Sequence, residues 1–374
     1  MTFNEQRGAT TVLADAARAT VRHRSNGHAG PHVNGHAAAA ALLSPPVDIT
    51  RQLSALEPCL VAVEAEIERM ISTPVKLISD IATHTLGAGG KRLRPALAIL
   101  SAQICGDDSD NPAERAVKSA AAVELIHTTT LLHDDVVDGA QVRRGKPAAN
   151  MVWGNETSVL VGDFLFAQVF VNAAREGFGG LLLPIATATA EMCAGELMET
   201  QWRGDLDMSE EQYFEIIALK TASLTECACF LGAMAVDANE ADVQRLGQFG
   251  HDIGMAFQIV DDVFDIVSTE GCIGKPVGND IREGDITLPM LRAMSVCDEA
   301  DRATLRAIVG KTPICDEEVA RAVEIIRGCD AVTYALDRAQ SFVDSARAEL
   351  SHFAPGPARD MLSAIAGYVV CRKK

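Results

Sequence analysis

The stretch ELIHTTTLLHDDVVDGAQVRRGK, residues 124–146, decides how this chain is read. Its first half is apolar enough for a buried helix. Asp134, Asp135 and Asp138 then arrive together, and Arg143 and Arg144 follow almost at once. On a helix, positions i and i+4 share a face, so Asp134 and Asp138 point the same way. Asp135 lies about 100° round and still borders the same groove. Neighbouring carboxylates near a helix C-terminus repel each other and oppose the macrodipole, a cost that a bound divalent cation removes.

The pattern occurs twice. LLHDDVVD at 131–138 is echoed by QIVDDVFD at 258–265, which carries Asp261, Asp262 and Asp265. One such group is readily a solvated helix end. Two, each preceded by apolar residues, point to paired cation sites. Mg²⁺ suits them best, because it takes a few carboxylates, keeps several waters and is usually completed by substrate phosphates. Ca²⁺ would ask for a loop cage of oxygens, and no EF-hand pattern is present.

Basic residues stand out against an acidic background, a net charge of −18 over 374 residues. They are Arg143-Arg144, GGKRLRP at 89–95, Lys220 and Lys275. Arginine forks match phosphate oxygens bidentately. Two acidic and two basic sets suggest two phosphorylated substrates, one held through Mg²⁺ and one held directly. The overall negative charge argues against a general nucleic-acid surface.

Hydrophobic residues make up 48% of the chain and aromatics only 5%. Abundant Ala with few aromatics favours helices packed through small side chains over a β-sandwich. Ten cysteines occur without a CxxC pair, so metal-ligand spacing is absent and reduced thiols are expected. Residues 1–45 lack hydrophobic periodicity and read as a mobile extension, in which His23, His28, His32 and His36 are expected to bind nothing. Glu5 and Asp15 weigh against a transit peptide, so a cytoplasmic location is expected ahead of a mitochondrial matrix.

Residues 46–374 read as one large all-α domain. Helical pattern covers residues 55–71 and 111–135, then roughly 155–176, 180–202, 209–235, 241–268, 299–309, 316–328, 330–351 and 356–371. The apolar run 157–174 is interrupted by Asp163, Gln168 and Asn172, and a buried helix is expected there, not a membrane span.

These features together resemble the trans-polyprenyl diphosphate synthases. The likeness runs from about residue 50 nearly to the end and is carried by GGKRLRP, ELIHTTTLLHDDVVD, RRGKPAAN, VGDFLF, KTASL, FQIVDDVFD and GKPVGNDIREGDITLP, in the family's order. The long-chain octaprenyl, solanesyl and decaprenyl diphosphate synthases of quinone biosynthesis are the nearest in look. The resemblance implies a helical bundle of the isoprenoid synthase type around a central apolar cavity. It implies two or three Mg²⁺ per site, held by Asp134, Asp135, Asp138, Asp261, Asp262 and Asp265. Arg143, Lys220, Gln258 and Lys275 would meet an allylic diphosphate, farnesyl or geranylgeranyl, with Lys220 also in the catalytic set. Lys91, Arg94, His127 and Arg144 would hold isopentenyl diphosphate. A homodimer is the family's usual state.

The implied reaction needs no side-chain nucleophile. The allylic diphosphate departs, and the isopentenyl double bond attacks C1 of the allylic cation. A proton is then lost, with the departing diphosphate the plausible base. Water must be kept out. The growing chain would run back along the helix before Asp134. Thr129 and Thr130, about 6–8 Å from it, are small and should leave a tunnel open. Phe164, Phe166 and Phe170 are candidates for its end. Each unit buries about five carbons, on the order of 3–4 kcal/mol, so a product of about C40–C50 would leave slowly, into a membrane. One departure is Asp285, where the family commonly has Lys; weaker phosphate binding or compensation nearby is expected. Three rivals remain: a short-chain farnesyl or geranylgeranyl diphosphate synthase, a terpene cyclase, and a non-catalytic subunit of a heteromeric synthase. The elongation form of the second motif weighs against the cyclase, and the six aspartates weigh against the subunit.

Overall fold

A computed structural model describes residues 53–87, 89–106, 113–175, 179–268, 277–311 and 313–371. The extension 1–45, Lys275 and Arg372–Lys374 lie outside these residues. Helices follow one another: α1 (Glu57–Met70), α2 (Lys76–Leu86), α3 (Leu93–Ile104), α4 (Glu114–Val137), α5 (Ala149–Trp153), α6 (Asn155–Arg175) and α7 (Gly179–Trp202). Next come α8 (Glu210–Ile217), a widened π turn (Ala218–Ala222), α9 (Ser223–Ala235), α10 (Glu240–Val267) and α11 (Asn279–Glu283). The chain closes with α12 (Leu288–Val296), α13 (Glu299–Val309), α14 (Asp316–Gly328), α15 (Ala331–Leu350) and α16 (Pro357–Cys371).

The ends of these helices have local causes. Ser209 and Gln212 form a reciprocal capping box at the start of α8. Asn239 accepts from the Asp242 backbone N–H at the start of α10, and Asp298 does the same for Asp301 in α13. A two-residue ribbon, Val142–Arg143 against Lys146–Pro147, follows α4. Its turn residues Arg144 and Gly145 both have positive φ, 51° and 78°, as a type I′ hairpin requires.

Small residues let the central helices approach closely. A Cβ on Gly232 of α9 would stand 2.0 Å from the Ala98 carbonyl of α3. One on Gly250 of α10 would stand 2.5 Å from the Thr225 carbonyl of α9. Around these crossings α10 packs on α9 and α15, α9 on α3 and α4, and α4 on α6. Leu97, Leu100, Leu125, Ile126, Leu224 and Phe249 are sealed in the core between them.

The expectation of a buried helix at 157–174 is corrected. In the most apolar window of α6 only 28% of residues are buried, and the same share holds for α7. Val159, Leu160, Leu183 and Leu197 are exposed. By length and composition α6, α7 and the continuous 210–235 helix are each able to cross a membrane; the last is 72% buried within the bundle.

Candidate active site

The two aspartate-bearing segments end beside one another. Asp138 at the end of α4 and Asp262 in α10 line one cavity of about 160 Å³, together with Lys220, Gln258, Glu199, Tyr213, Asp280 and Asp285. Six carboxylates face it, and Lys220 is the one Lys or Arg among its lining residues. The cavity is polar at this end, where the aspartates were expected to meet diphosphate, and Trp202, Met208, Ile216, Ile217 and Ile286 supply an apolar wall.

Burial pushes the Asp134 carboxyl up to about 7, helped by nearby Glu196 and opposed by Lys220. Burial also raises Asp138. Asp135 is more buried than the spacing suggests, at 1% exposed. Its Oδ1 accepts from Arg143 Nε at 2.7 Å, and its carbonyl accepts from Asn150 Nδ2 at 2.9 Å. Asp135, read from the sequence as a metal ligand, thus ties Arg143 and the ribbon to the end of α4.

The second motif divides likewise. Asp262 accepts from Tyr213 Oη at 2.6 Å and from Gln258 Nε2 at 2.8 Å. Gln258 in turn accepts from Thr221 Oγ1 at 2.8 Å. Burial pushes the Asp262 carboxyl up to about 7 against the pull of these donors. The Asp265 carboxylate accepts from the backbone N–H groups of Asn279 and Asp280, at 3.0 and 3.1 Å, and so fixes the start of α11. Asp261 is half-buried on the same helix.

Lys220 sits on the π turn, where its backbone crosses α7 so closely that a Cβ on Gly195 would lie 2.5 Å from Lys220 N. Its ammonium bridges Glu196, at 3.0 Å, and Glu199. Burial disfavours that charge, but the two glutamates hold it firmly protonated. Glu199 is pushed up to about 7 by burial. Among the described residues, no three His, Cys, Asp or Glu side chains converge as an ion cage. The donors are all oxygens from a few carboxylates, which fits a hard cation completed by water and phosphate.

The basic residues gather elsewhere, around His127. Arg94, Arg144, Arg143 and Arg92 all act on this imidazole, and burial together with their charge holds it neutral, well below its ordinary pKa. Arg94 Nε is buried without a hydrogen-bond acceptor. Burial also lowers Arg94 and Arg144. Two residues here have strained left-handed backbone, Arg92 (φ 48°) and Arg144 (φ 51°). A Cβ on Gly90 would meet Arg144 Nη1 at 2.7 Å, so the guanidinium packs directly over this glycine. Arg92 instead bonds the buried Glu124 and donates to the Leu86 carbonyl at 3.0 Å. Lys91 bonds Tyr368 Oη of α16 and lies 5.0 Å from the ring centre. Thr129 has no free surface and donates to the Leu125 carbonyl at 3.0 Å, while Thr130 stays half-buried and donates to that of His127 at 2.9 Å.

Glu196, Glu199, Tyr213, Asp280, Glu124 and Tyr368 were not singled out from the sequence. The i, i+3 spacing of Glu196 and Glu199 on an apolar helix was a usable signal. The lone Tyr213 and Tyr368 offered none, since their partners lie far away in the chain.

Residues 75–326 match the pattern of the polyprenyl synthetase family. A nonaprenyl diphosphate synthase of Mycobacterium tuberculosis is 39% identical over 312 residues, 82% of this chain and 92% of that protein. A short chain isoprenyl diphosphate synthase of Methanothermobacter thermautotrophicus is 38% identical over 295 residues, 78% and 89% of the two chains. The crystal structure of a polyprenyl synthase from Caulobacter crescentus, complexed with calcium and isoprenyl diphosphate, superposes with a TM-score of 0.82 at 37% identity, covering 87% of this chain and 98% of that one. The chain belongs to the polyprenyl synthetase family, with the all-α isoprenoid synthase fold. It is a prenyltransferase, an enzyme that makes prenyl diphosphates.

Proposed function

We propose that this enzyme condenses an allylic diphosphate with successive isopentenyl diphosphates to give a long all-trans product of about C40–C50, for a quinone side chain. The observation that carries the condensation is the meeting of Asp138, Lys220, Gln258 and Asp262 at one cavity, with a separate arginine cluster around His127. Asp134, Asp138, Asp261 and Asp262 would hold two or three Mg²⁺, which neutralise the diphosphate as it leaves. The calcium and isoprenyl diphosphate of the Caulobacter relative support that assignment. Lys220 and Gln258 would orient the allylic diphosphate beside Asp265, and the resemblance alone assigns Arg143 and Lys275 to the same group. Lys91, Arg94, Arg144 and neutral His127 hold isopentenyl diphosphate, for which the unpaired Arg94 Nε is a waiting donor.

Chain length rests on Thr129 and Thr130, because relatives range from short-chain to nonaprenyl synthases. A cavity of about 160 Å³ holds a head group, since sites for small molecules are commonly about 300–1,000 Å³. The chain therefore has to open its own path past Thr130. The exposed apolar faces of α6 and α7 suit a homodimer, and the product would pass to a membrane from a cytoplasmic enzyme. Incubation with Mg²⁺, farnesyl diphosphate and labelled isopentenyl diphosphate tests this, with products sized by chromatography. A ladder ending at C40–C50 is expected. A stop at C15–C20 would replace the long-chain reading with the short-chain one. No incorporation by the purified chain would favour a non-catalytic subunit.

A further inference from the structure

The position after Gly284 carries a carboxylate, Asp285, where the resemblance implies a lysine. The replacement is not left to itself. Asp285 lines the acidic cavity, and its Oδ1 accepts from Arg203 Nε at 2.9 Å. Arg203 follows α7, and the two segments are joined again by the Gly204 N–H donating to the Gly284 carbonyl at 2.8 Å. Gly284 has φ +82°, and a Cβ there would sit 3.2 Å from Arg203 Cγ. The stem of Arg203 therefore lies across a glycine turn that a larger residue would crowd.

Asp285 engages the guanidinium through its Nε edge. The two terminal nitrogens make no hydrogen bond among the described residues. The Arg203 side chain is 33% exposed, and it reaches the cavity edge through its bond to Asp285, which lines the cavity. Its charge is felt by Asp138 of the first motif and by Glu199. The need for such a cation is plain, because the cavity presents six carboxylates and Lys220, itself held by Glu196 and Glu199.

We propose that Arg203 supplies the diphosphate contact that a lysine at position 285 would make, and that Asp285 is a positioning residue that aims it. The inference rests on the prenyl diphosphate reading above and adds a residue to it. Arginine here brings two parallel donors where lysine brings a point charge, so the swap favours bidentate grip of a phosphate oxygen pair.

The test is steady-state kinetics with farnesyl diphosphate and isopentenyl diphosphate in the presence of Mg²⁺. Arg203→Gln is expected to raise KM for farnesyl diphosphate about tenfold, the ordinary scale for one charge-assisted contact, and to leave KM for isopentenyl diphosphate unchanged. Adding Asp285→Lys to Arg203→Gln should bring the allylic KM back to within about threefold of the parent. A purely structural role for the pair would instead lower kcat or melting temperature without rescue. An unchanged allylic KM in folded Arg203→Gln, or a folded double variant that does not recover, overturns the proposal. If Arg203→Gln does not fold, Asp285→Asn decides: the allylic KM should rise about threefold as the aim of Arg203 loosens, and no rise refutes it. Failure of the underlying reading is separate, for then the parent enzyme itself would incorporate no isopentenyl diphosphate.

Discussion

Asp135 and Arg143 form a fork in which one buried carboxylate oxygen accepts Nε at 2.7 Å and Nη2 at 2.6 Å. The Asp135 side chain is 2% exposed and that of Arg143 28%. This pair gives the middle aspartate of the first motif a structural partner. It ties the end of α4 to the ribbon on which Arg143 and Arg144 sit.

Removing Arg143 should therefore hurt the fold. Arg143→Met leaves Asp135 charged and buried without its cation, and a loss of about 3 kcal/mol is expected in urea unfolding at pH 7. Asp135→Asn keeps an acceptor in place and should cost less. It should raise the allylic KM more than it alters the Mg²⁺ concentration for half-maximal rate. A weakened Mg²⁺ requirement matching that of Asp138→Asn would return Asp135 to the metal.

The raised carboxyls give a pH dependence whose sign is fixed. Asp134 and Glu199 are each pushed up to about 7 by burial, whereas unfolded Asp and Glu titrate near about 3.9 and 4.3. Between those values the folded chain binds more protons than the unfolded one. Their contribution to stability is thus present in acid and lost as pH rises from about 4 through about 7. With metal chelated, Asp134→Asn should flatten the fall in melting temperature between pH 5.5 and 8, to be read by calorimetry at about these two values. Mg²⁺ added to the parent at the higher pH should raise its melting temperature and release protons. A parent indifferent to both pH and Mg²⁺ would contradict the electrostatics described here.

Tyr213 Oη donates to Asp262 Oδ2 at 2.6 Å inside the bundle. Burial and the neighbouring Asp262 charge raise the phenol's pKa well above its ordinary value, so the tyrosine remains a donor throughout. Tyr213→Phe keeps the ring and removes the donor. Supports of this kind behind a ligand typically matter about 10–100-fold in metal affinity. The half-maximal Mg²⁺ concentration should rise on that scale while the KM for isopentenyl diphosphate stays put. Equal effects on both would mean a general packing defect.

Much of this was legible in the sequence because its causes are local. The helices at 155–175, 240–267, 299–309 and 316–328 follow from apolar spacing. The pairing of two aspartate motifs at one cavity followed from their shared form. What was hidden depends on contacts distant in the chain. Spacing placed Asp135 on the groove, but it could not show that the carboxylate is buried against Arg143 and the carbonyl held by Asn150. Asp265 looked like its neighbours until the backbone of Asn279 and Asp280 claimed it. The exposed apolar side of α6 could not be told from a core-facing one, since composition does not say which side meets protein.

Thr129 and Thr130 read alike in the sequence, but the structure separates them. Thr129 is 0% exposed, packed within α4 against the core, whereas Thr130 keeps free surface. A large side chain at 130 would stand in the space next to the helix; one at 129 has nowhere to go. Thr130→Phe should shorten the product ladder and leave the rate of the first condensation near that of the parent. Thr129→Phe should cost about 1–3 kcal/mol of stability through overpacking, with no shortening in whatever folded enzyme survives. The two readouts are chromatographic product size and urea unfolding, measured on both variants. If Thr129→Phe shortens the product and folds normally, the growing chain runs on the far side of α4, and the path past Thr130 is wrong.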